Sequence, residues 1–437
     1  MVSRSARRRL EVSANGRPVG TWSIEGAEHR FAYDERWLDA DGARPLSLSM
    51  PLSQPKRPHL GEVVHRWFDN LLPDDPAMRE RLRRRLDARS TTAFDLLAET
   101  GRDCVGAVQL LPQGADPAPP SPATGRALDD ADVAALLGAV RTGAPLEPPD
   151  AFRLSLAGAQ EKTALTRIDG RWHVPSGATP TTHILKLPLG RVGADGVDLS
   201  TSVPNEWACL RFLHALGLPV AHASMDRFGE HEALVVERFD RRLAADGRTL
   251  LRLPQEDACQ ALGLSSHAKY EAEGGPGIER MMALWAGSRD ADADRTRFLL
   301  AQLAFLLLAA PDGHAKNFGL FLERGGRYAM TPLYDVVSVW PYVGAGGLQR
   351  RKVALAMGWH GRNRRYRLAE IAPRHVAATA ARCGFGRRLP ALLERLEATV
   401  PDALDRVAGE AAGRVPDAVI GPIVDGVRAS LSRLLGG

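Results

Sequence analysis

A change of pattern near the middle of the chain constrains its fold most. Up to about residue 254 most apolar residues fall in short alternating or β-rich runs. From Gln255 onward they recur mostly at helical spacing. A β-rich half followed by a helix-rich half predicts an α+β fold with two lobes. At 437 residues the chain has room for two or three domains.

Two proline-rich breaks refine the division. The stretch 112–125 (PQGADPAPPSPATG) and the stretch 145–150 (PLEPPD) cannot hold regular elements. The first unit, 1–112, opens with LEVSANGRPVGTWSI, whose alternation is centred on Asn15-Gly16, a hairpin-turn pair. RFAYD and RPLSLSM continue as strands, a helical stretch runs from about Asp75 to Thr100, and VGAVQLL reads as a strand. Residues 113–150 read as a linker with one short helix. Asp129 or Asp130 caps it, and Val133, Leu136, Leu137 and Val140 recur along it. In 151–254, RLSLAGAQEKTALTRIDGRWHV reads as three strands with turns. HILKLP and ALVVERFDR are further strands, and Pro204 to Gly217 is a helix. The remainder, 255–437, is helical except at DGHAKNFGLFL and YAMTPLYDVVS. Phe298 to Pro311 is the longest apolar stretch. It is shorter than the ~20 residues a bilayer needs and is interrupted by Gln302, so it reads as a buried helix.

Composition narrows the setting. The 57 basic and 52 acidic residues give a net charge of +5, a mild lean towards acidic partners such as ATP or nucleic acid. Denser basic runs, as at 79–89 and 362–367, read first as solvated faces and second as nucleic-acid contacts. The four cysteines show no CxxC spacing, which points to neither a disulfide framework nor a zinc site but to a reducing cytoplasm. The basic start MVSRSARRRLEV has no apolar run behind it, so neither a signal peptide nor a membrane is expected.

Four separated pieces make sense together as an ATP–Mg²⁺ site. Lys186, flanked by apolar residues in HILKLP, can hold its ammonium against phosphates as the strand lysine of protein kinases does. Asp312 and Asn317 in PDGHAKNF follow the buried helix and lie five residues apart, the separation of catalytic Asp and metal-binding Asn in the kinase loop. The Asp must accept the proton of the attacking hydroxyl while the Asn holds Mg²⁺, so one rigid loop must aim both. No His-Arg precedes this Asp, which makes the loop an atypical one. Asp335 in YDVVS follows 23 residues later, where a kinase places its Mg²⁺-bridging carboxylate. The fourth piece is SLAGAQEKT. Leu156 and Glu161 stand where a Walker-A motif needs glycines, so that reading fails. A small Ala-Gly-Ala turn can still offer backbone N–H groups to phosphates.

SLAGAQEKTAL, HILKLP, VERFDR, DGHAKNF and YDVVS, in this order and spacing, resemble the HipA family of protein kinases over nearly the whole chain. The resemblance implies an atypical two-lobed protein-kinase-like (HipA-like) fold behind a small N-terminal β-rich domain. It implies an ATP- and Mg²⁺-dependent Ser/Thr protein kinase, the toxin of a toxin–antitoxin pair. Its substrate would be a translation-related protein such as an aminoacyl-tRNA synthetase. A small helix-turn-helix antitoxin, which also carries the complex to operator DNA, would neutralise it.

Residue by residue, the resemblance makes Asp312 the catalytic base and Asn317 and Asp335 the Mg²⁺ ligands. Lys186 becomes the phosphate lysine, and Glu237 and Phe239 the hinge that holds adenine. Ala157, Gly158, Ala159, Gln160 and Lys162 form the loop over the phosphates, and Ser155 is the autophosphorylated, inactivating serine. His314 contacts phosphate or braces its loop. Glu206 either pairs with Lys186 or, as glutamates ordinarily do, faces solvent. A kinase fold acting on a small molecule or transferring AMP is a second reading. A catalytically weak co-repressor that binds operator DNA with its antitoxin is a third.

Overall fold

The structure, a computed structural model, describes residues 8–52, 57–115, 117–144, 160–192, 196–344 and 347–436. Strands β1 (Arg8–Ala14) and β2 (Arg17–Glu25) form the expected hairpin. Asn15 and Gly16 carry φ of 47° and 76°, the paired positive angles of a type I′ turn. There follow β3 (Glu28–Tyr33), α1 (Glu35–Leu38), β4 (His59–Leu60), α2 (Glu62–Asp69), α3 (Pro76–Arg85), α4 (Ala93–Thr100) and β5 (Val108–Pro112). The sheet is antiparallel in the order β4-β3-β2-β1-β5. Its core holds Trp22, Phe31, Trp67 and Phe68, with the rings of Trp22 and Phe68 stacked at 4.0 Å.

Two expectations for this unit need correction. RPLSLSM is not a strand. Its backbone is held by side chains instead: Leu46 N donates to Tyr33 Oη, Tyr33 Oη donates to Met50 O, and Leu48 N donates to Glu256. The helical stretch 75–100 is two helices. Between them Asp87 takes φ 51°, and Ser90 and Thr92 bond the Asp95 carboxylate at the start of α4.

The second sheet is built from β6 (Gly125–Leu128), β7 (Lys162–Ile168), β8 (Arg171–Pro175), β9 (His183–Lys186), β12 (Ala223–Phe228) and β13 (His231–Glu237), in the order β12-β13-β9-β7-β8-β6. Helix α5 (Asp130–Thr142) precedes β7, and a small hairpin, β10 (Arg191–Val192) with β11 (Val197–Asp198), leads into α6 (Ser202–Ala215). The span 113–150, expected as a linker with one short helix, gives that helix and also a strand to this sheet. β6 pairs with β8, and Val133, Leu136, Leu137 and Val140 pack with Trp172, Leu185 and Val235. The sheet leaves an apolar face that needs a cover, and the capped helix beside it supplies one.

The remainder is mostly helical. A hairpin, β14 (Arg241–Leu243) with β15 (Leu250–Arg252), joins the lobes. Then come β16 (Gln255–Asp257), α7 (Ala258–Ala261), α8 (Ile278–Trp285), α9 (Ala291–Leu308), β17 (Gly319–Leu322), β18 (Tyr328–Met330), β19 (Ala354–Trp359), β20 (Arg365–Arg367), α10 (Pro373–Arg382), α11 (Leu389–Ala411) and α12 (Asp417–Leu435). The apolar run 298–308 is the buried length of α9, around which α6, α8 and α12 pack. Among the described residues no helix is long and apolar enough to cross a membrane.

The N-terminal domain is locked to the joint between the lobes. Asp103 accepts hydrogen bonds from Thr181, Arg238, Arg241 and Arg252, and Asp240 accepts from Gly106 N. All these charged groups are buried, which a structure tolerates only when they are paired. Gly106 (φ 75°) approaches so closely that a Cβ would lie 2.6 Å from Gln255 O.

Candidate active site

Lys186 ends β9, with its backbone paired to Lys162 of β7 and Leu234 of β13. Its Nζ donates to Glu206 Oε1 at 2.7 Å and to Asp335 Oδ1 at 2.8 Å. Glu206 does not face solvent, because α6 is buried along most of its length and carries the carboxylate inward with it. Burial alone would lower the Lys186 ammonium's pKa, but Asp335 and Glu206 outweigh it and the net direction is up. Asp335 moves the other way. Burial raises its carboxyl, and Lys186 and then Lys162 pull it well below the usual range. Burial raises Glu206, with Lys186 drawing it back. The result is an ionised Lys186–Asp335 pair braced by Glu206. Lys162, half-buried, has its ammonium lowered to about 8, burial being the largest cause.

Asp335 sits at φ 60°, in the left-handed region that a branched-free acidic residue enters at a cost. Asn317 closes the loop it shares with Asp312 and ties it to that of Asp335: Nδ2 donates to Asp312 O at 2.6 Å and to Asp335 O at 3.4 Å. The spacing expected from sequence therefore brings Asp312, Asn317 and Asp335 together at one place. The Asp312 side chain remains about half exposed. Its Oδ1 accepts a short hydrogen bond from Tyr270 Oη and lies 3.5 Å from His314 Nε2. His314 is buried and edge-on to the Tyr270 ring at 4.9 Å.

Two cavities meet at Lys162, Asp312 and Asp335. The smaller, about 200 Å³, is lined by Val105, Ile184, Glu237, Phe239, Gln255 and Lys186 among others. Glu237 ends β13 with its side chain exposed, and the Phe239 ring leans on Tyr334 at 5.7 Å. The larger, about 970 Å³, runs past Tyr270, Leu199, Val339, Tyr342 and Leu355. Gln160, at its rim, donates to Leu187 O at 2.6 Å. Ser155, Ala157, Gly158 and Ala159 lie outside the described residues.

The donor set fits a nucleotide and its metal. Among the described residues no group of three or more His, Cys, Asp or Glu is placed to hold an ion. Mg²⁺ with a nucleotide needs fewer protein ligands, because phosphates supply the others. Asn317 and Asp335 line the smaller cavity, on the side of the expected hinge, and Gln255 Oε1, also on its wall, is buried without a partner among the described residues.

Sequence reasoning missed three kinds of partner. Tyr270 and Lys269 lie on a short segment far upstream, and Asn70 and Asp74 come from the N-terminal domain. Lys316 is the third: its Nζ donates to Asn70 O, Asn70 Oδ1 and Asp257 Oδ2. No local pattern marks these residues.

A β-rich lobe with a buried lysine–glutamate pair, a hinge, and a helical lobe offering Asp312, Asn317 and Asp335 define a chain of the protein-kinase-like class. Comparison with known proteins narrows the class. The HipA N-terminal domain model matches residues 10–111 and the HipA-like C-terminal domain model matches 154–408. A relative from Sinorhizobium fredii named as kinase Y4mE is 34% identical over 405 residues, 91% of either chain. The serine/threonine-protein kinase toxin HipA of Shewanella oneidensis is 30% identical over 347 residues, 76% of either chain. A solved structure of HipA from that organism, in complex with HipB and its operator DNA, matches with TM-score 0.78 at 25% identity, covering 98% of this chain and 97% of that one. The chain belongs to the HipA family of kinases.

Proposed function

We propose that this chain is an ATP- and Mg²⁺-dependent serine/threonine protein kinase and the toxin of a toxin–antitoxin pair. The observation that carries the reading is the convergence of Lys186, Glu206 and Asp335 beside a half-exposed Asp312 whose loop Asn317 stitches to Asp335. Adenine enters the hinge-side cavity against Glu237 and Phe239, and Lys186 holds the phosphates. The phosphate loop we propose comprises Gln160 and Lys162 together with Ala157, Gly158 and Ala159, which lie outside the described residues. Asn317 and Asp335 would hold Mg²⁺, which would supply neutralisation of the charge that develops on the phosphates. The acceptor hydroxyl approaches along the larger groove. Asp312 accepts its proton as the oxygen attacks the γ-phosphorus, and ADP leaves.

The family and its HipA–HipB–operator neighbour support the partners: a helix-turn-helix antitoxin, with operator DNA reached through the complex. The substrate we propose is a protein of translation, an aminoacyl-tRNA synthetase being the first to try. We propose Ser155 as an inactivating autophosphorylation site. Incubation of the full chain with Mg²⁺ and γ-labelled ATP, followed by mass spectrometry, tests the chemistry. A phosphoryl adduct including Ser155 is expected; an adenylyl adduct, or none, contradicts the reading. Expression alone should arrest growth, and a co-expressed helix-turn-helix partner should relieve the arrest.

A further inference from the structure

The loop between α2 and α3 reaches from the N-terminal domain onto the back of the catalytic loop. Asp74 Oδ2 accepts from Lys269 Nζ at 2.9 Å, and its Oδ1 lies 3.9 Å from Lys316 Nζ. Asn70 takes Lys316 Nζ on both its backbone and side-chain oxygens, at 2.9 and 2.8 Å. These two lysines flank the chemistry. Lys269 adjoins Tyr270, whose phenol holds the Asp312 carboxylate, and Lys269 O accepts from Ala315 N of the same loop. Lys316 adjoins Asn317. Asp74 is largely buried, at 13% side-chain exposure, and Lys316 at 5%. A buried ammonium without its counter-charge is costly; Lys316 also has Asp257 Oδ2 at 3.1 Å, so Asp74 bears most on Lys269 and, through it, on Tyr270.

We propose that Asp74 is a positioning residue for phosphoryl transfer: the N-terminal domain, through Asp74, fixes the catalytic loop in register from behind. This rests on the kinase reading above and adds a catalytic duty to a domain outside the two lobes. Asp74 does not touch the reacting atoms. It acts through Lys269 and Lys316 on Tyr270, Asp312 and Asn317. Loss of that register misplaces groups that need in-line geometry, and a displacement of ~1 Å is worth about a hundredfold in rate.

The test is Asp74→Asn in the full chain, with Asp312→Asn and the wild type beside it. The rate of γ-phosphoryl transfer to the chain itself is followed over a range of MgATP concentrations, and thermal unfolding is recorded. We expect the saturated rate to fall at least tenfold, with KM for ATP within about twofold of wild type. Amide exchange should rise in 311–318 and stay unchanged in β1–β3. A wild-type saturated rate overturns the proposal, as does a raised KM with the rate intact, which would make Asp74 a nucleotide contact. If Asp74→Asn does not fold, Lys269→Met replaces it: the same loss of rate supports the proposal and a wild-type rate overturns it. Transfer retained in Asp312→Asn would instead overturn Asp312 as the base, and no transfer by the wild type would remove the kinase reading itself, whatever Asp74 does.

Discussion

One ammonium, that of Lys186, carries two carboxylates, and the three groups belong to a strand, a helix and a loop. Replacing Asp335 by Ala leaves Lys186 with Glu206 but removes a proposed metal ligand. We expect MgATP binding to weaken by tenfold or more while adenosine binding changes little, as read by calorimetry; equal losses would mean misfolding. Tyr270→Phe keeps the ring against His314 and deletes the hydrogen bond to Asp312. The saturated transfer rate should fall about tenfold with KM for ATP unchanged, because only the orientation of the carboxylate is lost. The sequence made Asp312, Asn317, Asp335 and Lys186 legible because kinase chemistry fixes their order and two of their spacings. It left Tyr270 and Asp74 invisible, since each meets the loop only after the chain has folded. The position of Glu206 was ambiguous for a different reason. A glutamate is usually exposed, and only the burial of α6 on nearly every side brings this one to Lys186.

At the scale of elements, the catalytic loop is aimed by the helix before it. α9 ends at Leu308, the next residue, Ala309, takes φ 48°, and Gly313 then packs on the Phe305 ring so tightly that a Cβ would lie 2.5 Å from Cδ2. Gly313→Ala should therefore push the loop off the helix. We expect a lower melting temperature, by a few degrees for an overpacking cost of about 1–3 kcal/mol, and a transfer rate reduced more than ATP affinity. An unaltered rate would show that the loop is set elsewhere. Elements with a strong local signal were legible: the Asn15-Gly16 hairpin, the capped helix α5 and the apolar length of α9. RPLSLSM alternates like a strand, yet its partners are side chains, Tyr33 and Glu256, that no alternation reveals. The break between α3 and α4 lies at Asp87, a left-handed position, with the Ser90 and Thr92 bonds to Asp95 just after it, inside a stretch whose composition is otherwise helical.

For the molecule as a whole, the N-terminal domain and the lobes are one buried, charged assembly. Glu256 lies wholly inside this interface, accepting from Leu48 N and Trp67 Nε1, and burial pushes its carboxyl from the ordinary 4.5 up to about 8. The folded state thus holds its proton more tightly than the unfolded chain. Its contribution to stability is whole below pH 4.5 and is lost as pH rises to about 8. Glu256→Gln stays neutral throughout, so its melting temperature should gain on that of wild type between pH 5 and 8; a constant difference would contradict the buried acid.

The central claim is that Asp312 takes a proton from a hydroxyl during phosphoryl transfer. Asp312→Asn keeps the size of the side chain and its place beside Tyr270. Its transfer of labelled phosphate from MgATP, measured with its ATP affinity, tests the claim most directly. The account predicts wild-type affinity and a rate lower by about 10²-fold or more; a rate close to wild type would contradict it.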